Sequence, residues 1–130
     1  MTPDQNASLG QQPDLDMAHI EALKSEFADD GGTFFRKLVL LFCKNSEDGL
    51  KVMRQAVANE DYLVLTQTAH SVKGSSLNIG ARLMATLCAS VEDLATERSV
   101  IGAAELIERL EREFDLVRPI LQSLCPAEES

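Results

Sequence analysis

The sequence has no tryptophan, a single tyrosine and few basic residues: 12 Lys and Arg stand against 21 Asp and Glu, for a formal net charge of −9 over 130 residues. A surplus of negative charge would repel phosphate backbones and anionic lipid, so no nucleic-acid partner and no direct membrane contact is expected. Long apolar runs are also missing. The longest, Leu38 to Cys43, is six residues, far short of the roughly 20 that a membrane-spanning helix needs. The opening stretch MTPDQNASLGQQPD has neither a basic start nor an apolar core, so no secretory signal is expected. Asn6-Ala7-Ser8 fits the glycosylation spacing and, without such a signal, is read as chance. Cysteine is scarce too. Cys43, Cys88 and Cys125 cannot all pair, show no C-x-x-C spacing, and two of them lie inside apolar patterns. They read as small hydrophobic side chains in a reduced, cytoplasmic setting.

Motifs of several catalytic classes are absent. There is no Gly-x-Ser-x-Gly, no phosphate-binding loop and no His-Glu-x-x-His. A di-iron or di-manganese carboxylate bundle requires two Glu-x-x-His motifs. The chain has two histidines, and three residues before them stand Asp16 (before His19) and Gln67 (before His70). No metal site is therefore expected, and His19 reads as a surface residue.

What is present is helical periodicity. The apolar share of 45% suits one globular domain, which at this length can bury roughly two-thirds of its unfolded surface. Residues 1–14 are polar and read as a flexible lead-in, 15–125 as the domain, and 126–130 as a flexible tail. A first short helix is predicted from Asp16 to about Ala28, with Met17, Ile20, Leu23 and Phe27 on one face, ending at Asp29-Asp30-Gly31-Gly32. A second, Thr33 to about Asn59, carries Phe35, Leu38, Phe42, Met53 and Val57, and is either continuous or broken near Gly49. A third runs from the N-cap Asp61 to Asn78-Ile79-Gly80. A fourth, Ala81 to about Glu97, repeats apolar positions at Met84, Leu87, Cys88, Val91, Leu94 and Ala95. The fifth starts at about Val100, with Ser99 as its candidate cap, and carries Ala103, Leu106, Ile107, Leu110, Phe114 and Val117. Pro119 should kink its last turn or split it off. Four long amphipathic helices with short connections predict an all-α, antiparallel up-and-down four-helix bundle, with the short N-terminal helix capping one end.

One segment carries chemistry: Ala69-His70-Ser71-Val72-Lys73-Gly74-Ser75-Ser76, followed by Gly80-Ala81. At 100° per residue, Leu65, Val72 and Ile79 lie within about 40° of the direction opposite His70, so they face the core and His70 faces solvent. Its side is shared by Leu63, Thr66, Gln67, Lys73, Gly74 and Leu77. A mid-helix glycine costs stability and packs nothing on the solvent side, so its benefit at position 74 would be clearance around the imidazole. Lys73 adds a cation that would pair with an anion on the ring and favour the neutral nucleophile. No carboxylate lies within one turn of His70 on its helix, and none is expected to orient the ring. That absence, with the lack of a cleft, disfavours a general-base enzyme. A helical adaptor or dimerisation bundle, in which His70 is not phosphorylated, stays as the alternative.

The same segment resembles the motif of the histidine-containing phosphotransfer (HPt) domains of two-component phosphorelays: Ala-His-x-Leu-Lys-Gly, two small residues, and a later Gly-Ala, with Val72 in place of the Leu. The likeness extends from Asp16 to about Leu124 and includes Phe34-Phe35-x-x-Leu38-x-x-x-Phe42 and the acidic turn before the His helix. The resemblance implies that His70 accepts a phosphoryl group from a receiver-domain aspartyl phosphate and passes it to another receiver. Lys73, Gly74 and Gln67 would lie beside the phosphate. The implied partners are response-regulator receivers and a hybrid sensor histidine kinase, which meet a monomer. The module would have no cofactor of its own, since Mg²⁺ belongs to the receiver, and no autonomous ATP-dependent kinase activity. It would be cytoplasmic, either free or as a cytoplasmic domain of a membrane-bound hybrid kinase. Leu63, Thr66 and Leu77 are the expected docking residues, extended through some of Phe34, Val39 and Leu41.

Overall fold

The computed structural model describes residues 13–26 and 31–125. Expectations for residues 1–12 and 126–130, and for Phe27 to Asp30 at the end of the first helix, lie outside the described residues. Five helices follow one another: α1 (Met17–Glu26), α2 (Thr33–Ala58), α3 (Tyr62–Ile79), α4 (Arg82–Thr96) and α5 (Val100–Leu124). The last four form the bundle, each packed on two neighbours, α3 on α4, α4 on α5, α5 on α2 and α2 on α3. Cross-links fix the antiparallel register. Asn45 Nδ2 donates to Ser75 Oγ between α2 and α3. Arg54 pairs with Glu111, and Arg118 with Glu47, between α2 and α5.

The interior is built from the stripes that the periodicity marks. Phe35, Phe42, Met53, Leu65, Val72, Met84, Ile107, Leu110, Phe114 and Leu121 are all buried. Phe42 and Phe114 meet edge to face, their centroids 6.0 Å apart. Two expectations fail at the stripe edges. Met17 is exposed rather than packed on the core. Val39, a candidate for the partner surface, is 2% exposed because it continues the Phe35–Phe42 stripe at i+4 and turns inward with it.

α2 is continuous through Gly49. The glycine is buried where α2 crosses α3, and a Cβ there would stand 2.5 Å from Val72 Cγ2. The missing side chain thus permits a close helix crossing rather than breaking the helix. α5 likewise runs through Pro119 to Leu124. Pro119 is on the exposed side, where water can serve the carbonyl that loses its N–H partner. At the start of α5, Ser99 occupies the cap position without a side-chain capping bond; its carbonyl accepts from Ala103 N–H at 3.2 Å. Asp61 does cap α3, its Oδ1 accepting from Val64 N–H at 3.2 Å.

α1 closes one end of the bundle through the fully buried Ile20. The segment before it is strapped across the α3–α4 turn. Asp16 N–H donates to Gly80 O at 2.8 Å, and Arg82 N–H to Asp14 O at 3.0 Å. Arg82 Nε also donates to Asp14 Oδ1 at 2.9 Å. Asp14, placed by its composition in the lead-in, donates its N–H to Glu113 Oε2 at 2.9 Å. Gly80 makes the turn with a left-handed φ of 90°. The same α3 terminus holds His19, whose Nε2 lies 2.8 Å from the Asn78 carbonyl and donates to it. The expectation of a surface role for His19 is corrected: it is half-buried and ties α1 to the end of α3. No described helix is long and apolar enough to cross a membrane.

Candidate functional site

His70 projects from the middle of α3 with 71% of its side chain exposed. The reason is local, since Ala69 and Val72 beside it are fully buried and fix the rotation of the helix. Gly74 is exposed, and a Cβ placed there would meet nothing within 4 Å. The clearance expected beside the imidazole is present. Gln67 is exposed on the same side, while Lys73 is half-buried.

The expectation that no carboxylate orients the ring is overturned. It holds for α3 but fails for its neighbour, because α4 returns from the tight Gly80-Ala81 turn and brings Glu92 alongside. Glu92 Oε2 lies 3.1 Å from His70 Nδ1, and Oε1 lies 2.7 Å from Lys73 Nζ. Burial pushes the Glu92 carboxyl upward, but the bonds and charges of Lys73 and His70 together outweigh it and hold the group below its ordinary value. Glu92 is therefore a carboxylate and accepts a proton-bearing bond from Nδ1. In the neutral ring that places the proton on Nδ1 and leaves the Nε2 lone pair directed away from Glu92. The sequence held a faint signal for this residue. Glu92 follows the buried Val91 and stands one turn after the buried Cys88, at the border of the apolar face of α4.

This carboxylate removes one of the two objections to a general-base enzyme; the other stands, because the ring is not enclosed. The groove beside it, about 410 Å³ in volume, runs between α2 and α3 and is lined by Leu38, Leu41, Phe42, Asn45, Ser71, Ser75, Asn78 and Ile79, not by His70. Of the expected docking residues, Leu63 and Leu77 are 68% and 57% exposed. Leu41 and Phe34 are exposed as well. Thr66 is half-buried, and its hydroxyl donates to Tyr62 O at 2.8 Å, so its polar group serves its own helix.

The cysteines are free. Cys88 is buried, and burial pushes its thiol up to about 12, which leaves it uncharged behind Glu92. Burial also raises the Cys43 and Cys125 thiols. Among the described residues, no three His, Cys, Asp or Glu side chains are grouped as metal ligands.

The site can thus present an exposed imidazole nitrogen to a bulky partner, with a cation one turn away. Known proteins are similar to this chain as a whole. The family model of the Hpt domain matches residues 37–119. Histidine-containing phosphotransfer protein 2 of Arabidopsis thaliana is 28% identical over 97% of this chain and 82% of its own length. The crystal structure of histidine-containing phosphotransfer protein B (HptB) from Pseudomonas aeruginosa PAO1 is 34% identical, covers 85% of this chain and 93% of that one, and superposes with a TM-score of 0.77. The maize protein ZmHP2 shares the fold at a TM-score of 0.77, with 22% identity over 86% of this chain and 83% of its own. The helical bundle, the Ala69–Ser76 motif and these likenesses converge, and the chain belongs to the Hpt domain family of histidine-containing phosphotransfer proteins.

Proposed function

We propose that His70 is the phosphoryl carrier of a multistep relay, accepting the group from a receiver-domain aspartyl phosphate and passing it to a second receiver. One observation carries this reading: an exposed imidazole whose Nδ1 is bonded to Glu92, one turn from the open space at Gly74. Nε2 is accordingly the nitrogen that attacks phosphorus. Lys73 supplies positive charge on the phosphate side, as phosphoryl transfer depends mainly on positioning and charge neutralisation. The Mg²⁺ for the reaction would come with the receiver, and the hybrid sensor kinase upstream would supply the phosphate.

Receivers would dock on Leu63, Leu77, Leu41 and the groove between α2 and α3. Relay contacts must release quickly, so the interface should be small, with affinity of roughly micromolar strength. The adaptor alternative gives no role to the His70–Glu92 bond or to the clearance at Gly74. The two readings part on one experiment. The protein is incubated with phosphorylated receivers and analysed by mass spectrometry in neutral or basic solution, because phosphohistidine is acid-labile. Phosphate on His70 is the expected result; its absence with every receiver tested, alongside full function of a His70→Gln protein, would establish the adaptor.

A further inference from the structure

Cys43 and Cys125 have no part in the site around His70, and they stand on neighbouring helices at the same end of the bundle. Cys43 is on α2 and Cys125 is the C-cap of α5. Both are half-buried against the core, and both are free. The register between the two helices brings them together. Arg118 of α5 reaches Glu47 of α2 at 3.3 Å. Cys43 is one turn before Glu47, and Cys125 is two turns after Arg118, within about 20° of its direction on the helical wheel. Because the helices are antiparallel, both steps run toward the same end, about 6 Å along α2 and about 10 Å along α5. The Cys125 side chain turns back to recover part of that difference, its thiol donating to the Leu121 carbonyl at 3.5 Å. The two sulfurs also act on one another: burial pushes the Cys43 thiol up, Arg118 pulls it back in part, and Cys125 adds to the rise.

The geometry points to Cys43 and Cys125 as a dithiol pair that closes to a disulfide when a peroxide reaches it, clasping α2 to the end of α5. A disulfide needs Cα atoms within about 7 Å of one another. The final adjustment falls to Cys125, whose extended backbone lies beyond the last turn of α5, so no helix interior has to move. The bond closes a loop of about 80 residues, and closing so long a loop restricts the unfolded chain strongly. Cys88 has no share in the pair: it is fully buried on α4, under the influence of Glu92 and Lys73.

The chemistry balances with one peroxide per chain. The Cys125 thiolate attacks the O–O bond, which breaks to leave a sulfenic acid and hydroxide; the hydroxide takes up the proton that the thiol released and becomes water. The Cys43 sulfur then attacks the sulfenic sulfur. The S–S bond forms, the S–O bond breaks, and the hydroxyl leaves with the Cys43 proton as a second water. The two sulfurs together lose two electrons, and the peroxide oxygens gain them. Cys125 reacts first because it stands at the helix end, where Arg36 and Lys24 oppose the burial that raises its thiol. Burial holds both thiols above their ordinary value, so closure is slow at neutral pH and quickens as pH rises.

The test treats the intact, reduced protein with hydrogen peroxide at mildly basic pH. Remaining thiols are then alkylated in denaturant, and peptides are mapped by mass spectrometry without reduction. The expected product is a monomer that has lost two hydrogens, with the Cys43 and Cys125 peptides joined and Cys88 alkylated. Its rate of formation should not change on dilution of the protein, and it should melt about 5 °C or more above the reduced form. Cys43→Ser should abolish the link and leave a sulfenic acid on Cys125 that dimedone traps; Cys125→Ser should abolish the link as well. Disulfide-linked dimers, a bond to Cys88, or sulfinic acids at both positions without a joined peptide would overturn the pair. A joined protein that melts no higher than the reduced one would overturn the clasp.

Discussion

His70 is the one side chain whose replacement should abolish function while sparing the fold. It faces solvent and, among the described residues, its side chain bonds to Glu92. His70→Gln should eliminate phosphoryl acceptance and leave stability within about 0.5 kcal/mol of wild type, the usual range for surface substitutions. Phosphate labelling and thermal melting by circular dichroism check the two halves. Lys73→Ala should slow transfer or shorten the life of the phosphohistidine without preventing its formation, because the cation neutralises charge but forms no bond to phosphorus. Unaltered transfer and decay rates would make Lys73 a partner of Glu92 alone.

α3 presents two faces with opposite demands, and substitutions along it should separate them. Gly74→Gln places a long side chain into open space beside the imidazole. Transfer from a receiver should slow, while the higher helix propensity stabilises the protein by up to about 1 kcal/mol. Transfer kinetics and a denaturant melt on the same sample measure both. Leu77 is one turn further on and more than half exposed, so Leu77→Asp should weaken receiver binding by a factor readable in titration calorimetry. The bundle should melt as before, and His70 should still accept phosphate from phosphoramidate. Unfolding of Leu77→Asp would contradict the exposure of this face.

At the scale of the whole molecule, a strap joins the residues before α1 to the start of α4 and to α5. Glu113, 6% exposed, receives that strap through Asp14 N–H. Burial raises its carboxyl above the ordinary value, the Asp14 N–H bond pulls it back in part, and the Asp14 charge adds to the rise. A carboxyl that is raised in the folded state contributes stability that is fully present below its unfolded value and lost as pH rises through its folded value. The wild type should therefore lose stability relative to Glu113→Gln as pH climbs through and just above the ordinary carboxylate range. Melting temperatures of the two proteins, compared across that interval, should show the difference moving in that direction; a constant difference would mean that Glu113 does not titrate in the strap.

Much of this protein follows from sequence alone, for a physical reason. Helix existence and facing depend on local periodicity, and in a bundle the apolar stripes leave little choice of partner face. That is why the burial of Val72 and Ile79, the exposure of His70 and Leu77 and the cap at Asp61 could all be read from residue spacing. Other features depend on which residues meet across helices, and spacing carries no such information. Gly49 looks like a weak point in α2 until Val72 is found against it. His19 looks like a surface residue until its donor meets the last turn of α3. Glu92 stands 22 positions from His70 in the chain, on a different helix, and only the packing of α4 on α3 brings it to the ring. The sequence by itself determined the exposure of His70 and the motif around it; the tertiary structure decided which of its nitrogens is bonded, because that choice is made by a carboxylate delivered from the neighbouring helix.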